Sequence, residues 1–225
     1  ESGRCRREKT GATERKPPRE PSERMRPEDA ADMPARKEQA LPDFRGYTDV
    51  VVKRSREQKE YIEELSERTE AIRAHEVDRR EDNLLKVTVH GRMAALDIRL
   101  VKPDAEDRGE ENKVRACARN MARLYSVYPG TTQIAFSDLS TPKEGFNIYD
   151  ELKKELVLLG VKPEEILFIH DADSEEKRAE AEKNFNRGIL RILVGSTQKL
   201  GTGSNVQERL IAVHHLDVPW RPSDV

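Results

Sequence analysis

Between residues 133 and 216 short apolar runs alternate with longer amphipathic ones, and few folds satisfy that rhythm. The runs 133–137, 166–170, 190–194 and 210–216 have the length and apolar content of buried strands. Segments 148–159 and 174–186 have helical periodicity. Ser174-Glu175-Glu176 makes an acidic first turn for the second of them, and Gly188 a C-terminal stop. Strands separated by amphipathic helices predict right-handed crossovers. The expected fold class is therefore α/β, a mainly parallel sheet with helices on both faces.

Upstream the pattern changes. Val50-Val51-Val52 predicts a short strand after a turn at Arg45-Gly46. Ser55-x-x-Gln58 is a capping-box pattern, and Tyr61, Ile62, Leu65, Thr69 and Ile72 form one stripe of a helix running to about His75. A second helix is expected over 82–100, weakened in its middle by Gly91 and by Val87 and Val89. Residues 102–110 predict a polar loop. A third helix over 113–128 carries Val114, Cys117, Ala118, Met121, Leu124 and Tyr125 on one side and stops at Tyr128-Pro129-Gly130.

Charged residues make up 37% of the chain, hydrophobic ones 35%, and the mean hydropathy is -0.85, too polar for one uniformly packed globule. The excess sits at the start. Residues 1–40 hold no Val, Ile, Leu, Phe, Tyr or Trp, but do hold Pro17, Pro18, Pro21, Pro27 and Pro34. Nothing there offsets the entropy of ordering, which predicts a disordered charged tail. The expected organisation is a tail over 1–40, a strand plus helical linker over 41–110, and the α/β lobe over 111–225. The formal net charge of -2 excludes a global attraction to polyanions, so any such surface must be a local patch. Cys5 and Cys117 lie far apart, as expected of free thiols in a reducing cytoplasm. No run approaches the ~18 apolar residues of a membrane helix, and no signal peptide is visible.

The loop with most chemical content is Gly195-Ser196-Thr197-Gln198-Lys199-Leu200-Gly201-Thr202-Gly203-Ser204-Asn205-Val206-Gln207. It leaves the carboxyl end of one expected strand, where open parallel sheets bind ligands. Gly201 and Gly203 lack Cβ, so peptide N–H groups there can approach an anion. Hydroxyls at Ser196 and Thr197 with the Lys199 ammonium suit a phosphodiester backbone; the same residues also suit a capped turn before a short helix. His170, His214 and His215 match no metal-ligand spacing, and His170 and His214 are expected to end buried strands beside the cleft. Asp138, Asp171, Asp173 and Asp217 fall at strand ends, where carboxylates cap helices and steer loops.

Several blocks in order carry a resemblance: Gln133-Ile134-Ala135-Phe136-Ser137-Asp138, Arg178 followed by Phe185-Asn186, Ser196-Thr197, Gly201-x-Gly203-x-Asn205-Val206, and Asp217-Val218-Pro219-Trp220-Arg221-Pro222. Over roughly 47–225 the chain resembles the second, C-terminal RecA-like lobe of superfamily-2 helicases of the Swi/Snf type. Asp138-Leu139-Ser140-Thr141-Pro142 and the run from His214 to Asp224 look closer still to the helicase part of DNA methylase–helicase proteins of phages and mobile elements. The resemblance implies a lobe of an ATP-dependent DNA helicase or translocase, an ATP hydrolase when whole. ATP would be approached by Gly203, Asn205 and Gln207, and DNA by Ser137, Ser196, Thr197, Lys199, Gly201 and Thr202. It implies no catalytic residue and no metal ligand on this chain. ATP with Mg would be bound mainly by a first RecA-like lobe of the same parent protein. The implied partners are DNA, that first lobe and an attached DNA methyltransferase domain, with no membrane, in the cytoplasm. Trp220 would pack beside the cleft. Arg221 stands where the Swi/Snf run has Asn, which points to the mobile-element branch. The 225 residues contain no Gly-x-x-x-x-Gly-Lys-Ser/Thr loop, no acidic box and no Gln-x-x-Gly-Arg segment. The expectation is therefore a fragment inactive by itself. A non-enzymatic nucleic-acid-binding or scaffold fragment with a degenerate RecA-like fold is the alternative. A third class is a doubly wound domain that binds a small phosphorylated ligand.

Overall fold

The structure is a computed structural model that describes residues 46–106, 112–200 and 205–218. The expected tail over 1–40 lies outside the described residues. The chain divides into Glu1–Thr48 and Asp49–Val225, and every element named below belongs to the second unit. The helices are α1 (Arg56–Arg73), α2 (Leu84–Leu96), α3 (Lys113–Val127), α4 (Ile148–Leu158), α5 (Glu175–Asn186) and the single turn α6 (Thr197–Leu200). The strands are β1 (Thr132–Phe136), β2 (Ile166–Phe168), β3 (Ile192–Gly195) and β4 (Leu210–His215).

The four strands form one sheet in the order β2-β3-β1-β4, and every neighbouring pair is parallel. Alternation along the strands separates two cores. Ala135, Ile192 and Val194 pack with Val114, Ala118 and Met121 of α3 and Ile148, Leu152 and Leu156 of α4. Ile134 and Leu193 point the other way, onto Phe185 of α5 and Leu200 of α6. The chain therefore leaves β1 over one face and β3 over the other. These two strands are neighbours, so the order of the sheet reverses between them, and their carboxyl ends are where sheets of this topology bind ligands.

Local chemistry explains the helix starts. Ser55, Asn83, Asn112, Asn147 and Ser174 each accept a hydrogen bond from the amide three residues on, and Gln58 completes the capping box at α1. Each such cap is worth about 1 kcal/mol. Helices α1 and α2 share a smaller core of Tyr61, Leu65, Ala94 and, just beyond α2, Ile98. Gln58 Nε2 donates to the Ala94 carbonyl at 2.8 Å, and Arg68 grips both carboxylate oxygens of Asp82.

Three expectations are corrected. Val50-Val51-Val52 forms no strand and pairs with none among the described residues, and Val50 and Val51 are 59% and 90% exposed. β-branching favours a strand only where a neighbour packs on it. The helix expected over 82–100 ends at Leu96. Asp97 turns extended there, caps a 3-10 turn at Ile98–Leu100 and pairs with the Arg99 guanidinium at 2.7 Å. The strand expected over 166–170 stops at Phe168 and becomes a 3-10 turn, Ile169–Asp171.

At the amino ends of the strands, Arg191 is only 8% exposed and has no carboxylate partner among the described residues. Its guanidinium instead donates to the carbonyls of Tyr125 (3.0 Å), Tyr128 (2.8 Å) and Thr131 (2.9 Å) and lies 3.9 Å from the Tyr125 ring centre. Tyr125 O is one of the carbonyls left without an intrahelical partner where α3 stops, and Tyr128 O also accepts from the Thr131 amide and hydroxyl. Arg209 similarly donates to Asn186 O and Gly130 O.

Candidate functional site

Hydrogen bonding continues one residue past the strands. The Ser137 amide donates to Gly195 O and the Leu216 amide to Phe136 O, both at 3.0 Å. This sets Ser137, Ser196 and Asp217 at one rim although they are distant in sequence.

Asp217, 7% exposed, organises the exit of β1. It accepts from Ser137 Oγ at 3.0 Å, from the Asp138 amide at 3.0 and 3.2 Å, and from the Leu139 amide at 3.0 Å. Asp138 in turn accepts from the Thr197 amide at 2.7 Å and from Thr197 Oγ1 at 2.8 Å. The Tyr149 hydroxyl donates to Ser137 O at 2.9 Å, and its ring meets those of Phe168 and His170 edge-on. Burial and the nearby Asp138 and Asp217 charges raise the Tyr149 pKa far above that of a free phenol, so it serves here as a neutral donor. Ser140 Oγ accepts from the Ile148 amide at the start of α4.

The expected site residues fall into three groups. Ser137 is fully buried and Ser196 is 8% exposed; Thr197 is half-buried with both donors on Asp138. Lys199 is half-buried and its charge helps depress the His170 pKa, after burial. Asn205 and Gln207 are exposed, and the Asn205 carbonyl accepts from Asn186 Nδ2 at 2.6 Å. Gly201, Thr202 and Gly203 lie outside the described residues, as do Trp220 and Arg221. The structure thus ties Ser137 to Asp217 and Thr197 to Asp138, with Ser196 next to Thr197 at the same rim. Tyr149 and Lys113 escaped the sequence reading. Lys113, its pKa lowered by burial, feels the Asp217 charge across the fold. Neither has a local signal, since their partners at the rim are remote in sequence. Asp138 and Asp217 do what strand-end carboxylates were expected to do.

The histidines have structural surroundings. His215 stacks on Phe136 at 5.2 Å. Gln133 Nε2 donates to Met121 O, so its Oε1 faces His214 and the His214 Nε2 carries the hydrogen of that 3.0 Å bond. Burial, with the neighbouring His215, pushes His214 down to about 4. The folded state thus resists a proton that the unfolded chain takes up near pH 6.5. Stability is expected to be whole above pH 6.5 and to fall as pH drops toward 4, by at most about 3 kcal/mol from this residue. Urea titrations of wild type and His214→Gln across that range should converge as pH falls; parallel curves would remove His214 as the cause.

Among the described residues no group of three or more His, Cys, Asp or Glu side chains converges as metal ligands, and no helix is long and apolar enough to cross a membrane. Cys117 is a free thiol pushed up to about 12 by burial. Comparison with protein-family models and with curated protein sequences finds no match.

Proposed function

We propose that the chain is the C-terminal RecA-like lobe of an ATP-dependent DNA helicase or translocase, of the kind joined to a DNA methyltransferase domain in mobile-element proteins. One observation supports the reading above the others. Sequence blocks picked out for their order along the chain, Phe136-Ser137-Asp138, Ser196-Thr197 and Asp217, meet at the carboxyl rim of adjacent parallel strands, beside the reversal between β1 and β3. Sheets of this topology bind ligands there.

In this reading DNA runs along the loop after β3. Lys199 supplies a mobile ammonium, and Ser137, Ser196, Thr197, Gly201 and Thr202 shape or contact the backbone path. Gly203, Asn205 and Gln207 turn toward a nucleotide shared with the first lobe. ATP with Mg supplies the energy of closure when bound. The described part of this rim fits only half of such a site: Asn205 and Gln207 are open to solvent. Closure of one lobe on the other completes it, and hydrolysis releases it.

The 225-residue chain lacks both a phosphate-binding lysine loop and an arginine-bearing Gln-x-x-Gly-Arg segment. Phosphate release is therefore expected to stay at background with or without DNA. Turnover above background, abolished by substituting Gly203, would overturn this. Binding of a fluorescent oligonucleotide should weaken with salt, and Lys199→Ala should lower the slope by about one unit. The scaffold alternative has an observation of its own, because Ser137 and Thr197 already spend their side-chain donors inside the fold. No oligonucleotide binding even at low salt would favour it.

A further inference from the structure

We infer that Asp217 and Asp138 act in series, as a relay that ties the exit of β4 to the loop after β3. Among the described residues Asp217 makes no hydrogen bond to that loop. It holds the Ser137 hydroxyl and the amides of Asp138 and Leu139, and so fixes where the Asp138 backbone sits. The Asp138 carboxylate then reaches across the β1–β3 reversal and takes both Thr197 donors. Thr197 opens α6, whose Leu200 is anchored in the second core.

The rest of the rim makes Asp138 the sensitive link. The amides of Lys199 and Leu200 bond back to Ser196 O, so α6 moves as one turn. Ser137 is held on its other side by the Tyr149 hydroxyl. A displacement at Asp217 therefore shifts the 137–139 backbone and with it the Asp138 carboxylate. The same path runs in reverse. Asp138 is a positioning residue, since it acts on the loop through Thr197. That one loop touches DNA and the nucleotide rests on the function proposed above. The relay itself rests on the hydrogen bonds alone.

Amide hydrogen exchange on the full 225-residue chain tests it, with wild type, Asp138→Asn, Asp217→Asn and the double variant. Asn keeps the shape of either carboxylate but replaces an acceptor oxygen by an amide donor. Asp138→Asn should speed exchange over 197–200 about tenfold. Asp217→Asn should do the same there, although it hydrogen-bonds to none of those residues. The double variant should exchange over 197–200 no faster than the faster single one, the signature of two groups on one path. An Asp217→Asn effect confined to 137–139, or rates that multiply in the double variant, would overturn the relay. If Asp217→Asn does not fold, Ser137→Ala decides the matter by removing one Asp217 donor. Faster exchange over 197–200 supports the relay, and an unchanged rate refutes it. Adding a single-stranded oligonucleotide separates the two ideas. In wild type it should slow exchange over 197–200 and over 216–218, and in Asp138→Asn over the first segment alone. Slowing of both segments in that variant would overturn the relay. No slowing in wild type, with the variant pattern intact, leaves the relay standing and removes the DNA reading.

Discussion

Replacing Arg191 by Met is expected to lower the unfolding free energy by about 3–5 kcal/mol. Methionine keeps most of the aliphatic stem and its packing on Tyr125, so the loss isolates the guanidinium. The Tyr125 and Thr131 carbonyls would lose their side-chain donor where α3 hands over to β1, while Tyr128 O would keep the Thr131 amide and hydroxyl. A buried acceptor left unpaired costs about 1–3 kcal/mol, and these two share one site that water can only partly re-enter. Arg191→Lys should recover less than half of the loss, because one ammonium cannot span the fork of a planar guanidinium. Urea unfolding should show a lower midpoint with an unchanged slope. A Met variant within about 1 kcal/mol of wild type would mean the carbonyls find other partners.

Gly195→Ala is expected to cost about 2–3 kcal/mol and to disorganise the loop it precedes. A methyl group at this position would lie 2.3 Å from Leu200 Cδ1 and 2.7 Å from both Leu200 Cγ and Ile169 Cγ2. Leu200 and Ile169 are both core residues, 6% and 3% exposed, so neither has open space to enter. Ile169 is fixed at the end of β2. The cheaper escape is for Leu200 to leave its pocket, and α6 must then leave with it. The variant should therefore combine lower stability with faster proteolysis or amide exchange near 196–200. Wild-type stability and a protected loop in the variant would show that the second core yields more easily than its burial suggests. The glycine is needed for spacing. Gly188 contrasts with it: its φ of +75° needs glycine whatever the space, and an added Cβ would also lie 2.8 Å from Gly130 O.

Features with local causes were legible in the sequence. The Ser55–Gln58 box and the Ser174 cap work within one helical turn, and both are present. The strand–helix alternation implied parallel pairing, since no short connection can return a strand antiparallel across a helix. Features decided by remote partners were not legible. The three valines at 50–52 look like any strand until it is known that no described strand pairs with them. Asp97 could not be seen as a helix terminator, because its role depends on Arg99 and on a near-complete burial set by tertiary packing. Arg191 sat inside an expected strand, and nothing nearby announces three carbonyls from a segment some 60 residues earlier. At the rim, Thr197 was read as a donor awaiting an anion. The structure supplies one from Asp138, a residue 59 positions away.

The two ends of the sheet are fastened with opposite chemistry. At the amino end a guanidinium offers hydrogens to backbone carbonyls. At the carboxyl end carboxylates receive hydrogens from amides and hydroxyls. The two arrangements differ in what can be substituted for them. Only another forked cation reproduces the first. For the second, any group bearing oxygen lone pairs competes for the same hydrogens, and such groups include water, a carboxylate or a phosphate ester. One end of the sheet thus works as a rivet and the other as a latch, and strand register can be kept from the riveted end while the latched end changes its partners.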